Sequence, residues 1–117
     1  MNESILNTVK KMMGIPVSDT SFDQDLIVNI NTVCSILYQI GVGSVYFSIE
    51  DDSATWEDLL GNANNLELVK TYMYMKVRMM FDPPTGSVAD SMNAVLSELE
   101  WRISVTVDPI TTFTGGQ

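Results

Sequence analysis

The sequence predicts an all-α protein: a small bundle of three to four main helices plus a short one, with an extended loop and an extended C-terminal tail. Three observations lead there. Apolar residues recur at helical spacing in several separate segments. Serine, glycine and proline stand where such helices would start and stop. The 117 residues, 45% of them apolar, suffice for one core that needs no disulfide or metal to hold it.

Residues 4–13 place Ile5, Val9 and Met12 or Met13 on one helix face, with Ser4 as cap and Gly14 and Pro16 as stop. Lys10 and Lys11 fall in the last turn, where the helix dipole favours cations. The second helix shows the clearest pattern. Ser21 and Gln24 have the form of a capping box, Asp23 and Asp25 sit in the first turn, and Leu26, Ile30, Val33 and Leu37 make the stripe that Gly41 closes. About 18 residues at 1.5 Å each give a rod of roughly 27 Å.

Residues 42–65 differ in character. Val45, Phe47 and Ile49 alternate with Tyr46 and Ser48, which predicts a short strand or extended segment. Glu50-Asp51-Asp52 follows, and Thr55-Trp56-Glu57-Asp58 opens a short helix ending at Gly61. Residues 66–81 then make a helix that is apolar over most of its girth: Leu66, Val69, Met73, Val77 and Met80 on one face, Leu68, Tyr72, Met75 and Met79 on the next. Such a helix must be enclosed, either by its own domain or by another subunit. Pro83-Pro84 stops it. The last helix, about Ser87 to Ser104, carries Val88, Met92, Val95 or Leu96, Leu99 and Ile103, and the short turn before it predicts an antiparallel hairpin. We therefore expect a helical domain over 1–104 and an extended arm over 105–117, where Val105, Val107, Ile110 and Phe113 stand among β-branched neighbours. That arm either frays or reaches a neighbouring protein.

The net charge of −9 is uneven: +1 over residues 1–18, −9 over 19–67, +2 over 68–82 and −3 over 83–117. A negative surface repels phosphate and disfavours ordinary DNA or RNA binding. The acidic middle either keeps the chain soluble or attracts a basic partner. The start Met1-Asn2-Glu3-Ser4 lacks the form of a signal peptide, and no apolar run reaches the ~18 to 20 residues that span a bilayer. No membrane partner is expected.

The chemistry-bearing residue types are scarce. There is no histidine, and the single cysteine, Cys34, lies on an apolar helix face where it reads as a small core residue. One cysteine suits a reducing compartment. Gly41-Val42-Gly43 is two thirds of a dinucleotide-binding pattern but follows a helix instead of a strand. Asp51, Ser53, Thr55 and Glu57 alternate as calcium-loop ligands do, yet Trp56 occupies the place where that loop needs glycine. A solvated loop with acids at a helix start accounts for them better. We expect no enzyme, no cofactor and no metal. The eight methionines fill core space or supply an adaptable interface.

Three segments carry a resemblance. Residues 68–84 (LVKTYMYMKVRMMFDPP), 96–103 (LSELEWRI) and 54–61 (ATWEDLLG) are similar to the head-tail connector, or head-completion adaptor, family of long-tailed bacteriophages. The likeness runs over roughly residues 20–104 and contains no catalytic motif. It implies a small helical subunit that assembles in the host cytoplasm and resides at the head-tail junction of the virion. There it would form a homo-oligomeric ring, twelvefold to match the portal protein above it. The ring would extend the DNA channel without binding DNA specifically and offer its lower face to the next connector or tail-completion protein.

Candidate portal or inter-subunit contacts are Tyr72, Met75, Met79, Val105, Val107, Ile110 and Phe113. Candidates for a channel or docking loop are Glu50, Asp51, Asp52, Trp56, Glu57 and Asp58. An acidic DNA mimic that inhibits a nucleic-acid-binding enzyme is the alternative, and it would need no ring.

Overall fold

The computed structural model describes residues 3–44, 47–61 and 65–107. They form five helices: α1 (Ile5–Met12), α2 (Asp23–Gln39), α3 (Trp56–Leu60), α4 (Leu66–Phe81) and α5 (Gly86–Val107). The described residues contain no strand, only one isolated antiparallel bridge between Ser4 and Thr55. The all-α expectation holds. Val45 and Tyr46 lie outside the described residues, and 47–49 of the expected extended segment take no regular structure.

Helix α1 begins as its sequence implies. The Ser4 hydroxyl accepts from the Asn7 amide at 3.1 Å, a cap contributing about 1 kcal/mol. It ends with the Ile15 amide reaching back to the Lys10 carbonyl and the Gly14 amide to Lys11, a pairing that satisfies carbonyls the helix leaves free. α2 closes in the same way: Val42 donates to Leu37 and Gly41 to Tyr38, with Gly41 at φ 99°. Both Val42 and Leu37 are buried, which adds the apolar contact that accompanies this motif.

The capping box expected at Ser21 does not form. Asp19 competes for that serine, its Oδ1 accepting from the Ser21 amide and from the Ser21 hydroxyl at 2.6 Å. α2 starts at Asp23 with no side-chain cap. A different device holds this end. Lys10, a cation in the last turn of α1, is buried; its ammonium lies 2.8 Å from Asp23 Oδ1 and donates to the Val17 carbonyl at 2.9 Å. One side chain thus fixes the α1–α2 connection and the first turn of α2.

Helix α4 is the centre, packed against α1, α2 and α5. Its Val69, Tyr72, Met73 and Val77 are buried, whereas Met80, expected on the same inner face, is among the exposed apolar residues near the helix end. Facing it are Ile5 and Val9 of α1, the stripe Leu26, Ile30, Val33 and Leu37 of α2, and Leu96, Leu99 and Ile103 of α5, all in one apolar cluster. Each fully buried aliphatic of this kind stabilises the fold by about 1.5–3 kcal/mol.

The expected α4–α5 hairpin is present and antiparallel, since Asn65 meets Thr106 and Tyr72 meets Glu100. α5 runs three residues beyond the expected end at Ser104. Its β-branched terminus favours a strand on propensity alone, but tertiary contacts overrule that preference. Ile103 is fully buried, and the Thr106 hydroxyl donates to the Ile103 carbonyl at 2.7 Å while accepting from Asn65 Nδ2 at 3.2 Å. Val105 and Val107 are therefore helical, not parts of an extended arm. Residues 108–117, with Ile110 and Phe113, lie outside the described residues.

Replacing Lys10 with alanine should lower stability by about 2–3 kcal/mol in urea unfolding. That is less than a fully buried pair would lose, because Asp23 retains some access to water.

Candidate functional site

Two surfaces stand out once the core is subtracted. The first is the acidic loop ahead of α3. It is held at both ends. Asn31 of α2 pairs with the Ile49 backbone as a neighbouring strand would: its Nδ2 donates to the Ile49 carbonyl at 3.0 Å and its Oδ1 accepts from the Ile49 amide at 2.8 Å. At the other end Ile5 donates to the Ala54 carbonyl and Trp56 to the Glu3 carbonyl. Asp51 Oδ1 accepts from both the amide and hydroxyl of Ser53, and these bonds hold its carboxyl below the usual range. Thr55 and Asp58 complete a capping box on α3. Glu50, Asp51 and Asp52 on this braced loop, and Glu57 and Asp58 in the first turn of α3, all remain exposed.

Trp56 does not belong with them. Its ring is buried in the core and its Nε1 donates to the Thr8 hydroxyl at 3.1 Å. An indole spent on the interior offers nothing to a docking partner, which removes it from the candidate surface. Tyr72 is removed likewise: it is fully buried, with its hydroxyl on Glu100 Oε2 at 2.7 Å. Burial, then the Glu100 carboxylate, drives its phenol pKa upward.

The second surface is a groove along the outside of the α4–α5 hairpin. Two hollows, of about 240 and 210 Å³, meet at Val95. Leu68 and Met75 form the α4 wall; Val88, Met92, Val95 and Leu99 form the α5 wall. Val88 is 56% and Val95 43% exposed, high for residues at such regular apolar spacing. The Arg102–Glu98 ion pair, 2.7 Å, closes one end. Met75, a candidate contact, lies in this groove, and the half-buried Met79 is one turn further along α4. Val105 is half-buried on α5; for Val107 the structure describes the backbone alone. The contact candidates therefore do not form one patch. The sequence reading missed the groove as a unit, although the stripe Val88, Met92, Val95, Leu99 was its visible signal.

Elsewhere the chemistry is sparse. A cleft of about 430 Å³ between α1 and α4 carries Glu3, Lys11, Glu67 and Lys70, with Lys70 on Glu3 at 3.3 Å. Among the described residues no group of three or more cysteine, aspartate or glutamate side chains is placed to hold a metal ion. Cys34 is buried, and burial pushes its thiol up to about 12, far from a nucleophile's range.

Among the described residues, the braced acidic loop and the apolar groove are the two surfaces that offer themselves to a partner. The sequence profile of the phage connector protein family matches residues 5–109. The chain belongs to that family. The match takes in all five helices and reaches beyond the segments that carried the resemblance, at both ends. No match emerged among curated proteins or among solved structures. Connector proteins form a structural family, so this chain is a component of phage particle assembly.

The Cys34 thiol should make stability depend on alkaline pH. The folded chain keeps this proton up to about 12, whereas an unfolded thiol loses it near 9. The contribution is whole below pH 9 and declines as pH rises from there towards 12. Urea midpoints measured at pH 7 and pH 10 should fall less in Cys34→Ala than in the parent.

Proposed function

We propose that this connector-family chain forms a ring beneath the phage portal, extends the channel through which DNA passes, and presents its far face to the next connector or tail-completion protein. The family match over residues 5–109 is the observation that carries this reading. The uncovered hairpin groove supports it. A ring closes through heterologous contacts, each subunit offering two different surfaces, and an apolar groove open to solvent suits one of them. Met75, Val88, Met92 and Val95 are the lateral contacts in this reading, with Met79 at their edge. Ile110 and Phe113 of the arm are candidates for reaching the portal or the neighbouring subunit.

The acidic loop takes the channel or docking role. Its exposed carboxylates offer phosphate no cation to bind, so DNA slides past without sticking. Twelve copies would match a twelvefold portal.

The direct experiment is negative-stain imaging of the purified protein, alone and mixed with portal-bearing heads that lack connectors. Rings, or density added below the portal, are expected; a monomer that ignores such heads overturns the proposal. Val95→Glu should leave the fold intact, because the side chain is already partly in water, and should abolish the added density. Changing Asp51 and Asp52 together to lysine should create salt-sensitive retention of double-stranded DNA in a gel-shift assay, where the parent shows none.

A further inference from the structure

Trp101 of α5 is the most exposed large apolar side chain among the described residues, at 67%. A large aromatic ring left in water is the kind of residue that anchors an interface. We infer that Trp101 inserts into the α4–α5 groove of a second copy of this chain, in the hollow between Leu68, Val95 and Leu99. The inference rests on the ring reading and names what fills each subunit's groove.

Helix geometry keeps the indole out of its own chain's groove. At about 100° per residue, Val88, Met92, Val95 and Leu99 lie about 120–180° around α5 from Trp101. The indole and the groove occupy different sides of one helix, so only another molecule can bring them together. Two different surfaces that meet make a heterologous contact, the kind that closes a ring. The hollows suit a side chain better than a ligand: they measure about 210 and 240 Å³, against ~300–1,000 Å³ for small-molecule sites. Arg102 lines the smaller one, where its guanidinium offers an inserted indole a cation to stack on.

Charge complementarity selects a second copy and sets its direction. Asp90, Ala94 and Ser97 are exposed on the same face of α5 as Trp101, and the two small residues let another helix approach closely. On the α4 rim of the groove, three residues after Met75, stands Arg78. It bonds the Tyr74 hydroxyl at 3.2 Å and pairs with no carboxylate among the described residues. Asp90 and Trp101 are eleven residues apart, about 16 Å along a helix; Arg78 and Leu68 are ten apart, about 15 Å. Seating Trp101 at Leu68 therefore brings Asp90 to Arg78. The incoming α5 then runs antiparallel to α4 and parallel to the α5 beside it. Neighbours related by a small rotation about a ring axis keep equivalent helices in nearly one direction, and this pose obeys that rule. An indole offers on the order of 150–250 Å², short of the ~800 Å² that each partner gives a stable interface. The groove's length, some 21 Å from Val88 to Arg102, must contribute as well.

The test uses two full-length chains, one with Ala94→Cys and one with Met75→Cys, mixed on portal-bearing heads and then oxidised. Ala94 lies seven residues before Trp101 and Met75 seven after Leu68, so the pose sets them opposite each other. Cys34 is buried and does not compete. A disulfide-linked dimer is expected from the mixture and from neither chain alone. A dimer from Ala94→Cys alone means a symmetric α5–α5 contact, and no dimer at all means that the two surfaces do not meet; either result overturns the inference. Imaging the heads before oxidation separates it from the reading beneath it. Rings without the mixed dimer overturn this contact alone, whereas heads that gather no ring, even from the parent chain, overturn both. Adding Trp101→Ala to the Ala94→Cys chain should leave its melting temperature unchanged, since the indole is in water, and lower the dimer yield about tenfold or more. An undiminished yield would show that the indole is not the anchor.

Discussion

Two chain segments some fifty residues apart are joined around Trp56, and much of the architecture hangs on that junction. The indole is buried and must find a partner for its N–H. It donates to the Thr8 hydroxyl, which in turn donates to the Ser4 carbonyl at 2.7 Å. Ser4 also caps α1 and bridges to Thr55, the residue that caps α3. The starts of α1 and α3 are thus one hydrogen-bonded unit with an aromatic plug beneath it. Removing the plug would leave a cavity, take the indole donor away from the Thr8 hydroxyl and loosen two helix starts together.

With that end secured, α4 can be enclosed on three sides without a sheet or a staple. α1 and α2 cover one part of its girth and α5 another. The remaining strip holds Leu68, Met75 and Met79, half-buried beside the exposed flank of α5. The unusual apolar girth of α4 is thereby divided: most of it builds the core, and the remainder forms a wall of the groove. The internal reading of an enclosed helix holds for most of this girth.

Helix existence was legible because spacing and end signals agreed. Ser4, Gly41, Thr55 and Pro83 each stand where a helix begins or ends, and their hydrogen-bonding habits act over a few residues. Failures came where a residue's partner was remote or contested. Ser21 has cap chemistry, but Asp19, two residues away, took it. The strand preference of Val105 and Thr106 lost to the contact with Asn65, forty-one residues earlier for Thr106. Lys10 shows the general difficulty: no local signal distinguishes a lysine bound for water from one bound for Asp23. Trp56 and Tyr72 were mistaken for surface anchors because aromatic residues serve cores and interfaces alike. The groove, shared between two helices, could be located only once their pairing was known.

The bracing of the acidic loop has a consequence for packing many copies together. Asn31 on one side and the Ser4–Thr55 bridge on the other tie its backbone to the core, and the Asp51 and Asp58 carboxylates are hydrogen-bonded to Ser53 and Thr55, so these two charges have little room to swing apart when another copy approaches. Like charges fixed within a screening length, about 8–10 Å at ordinary ionic strength, repel at a geometry set by the fold. Where two such loops face each other, the rigid charges act as a spacer whose stiffness is tuned by dissolved salt.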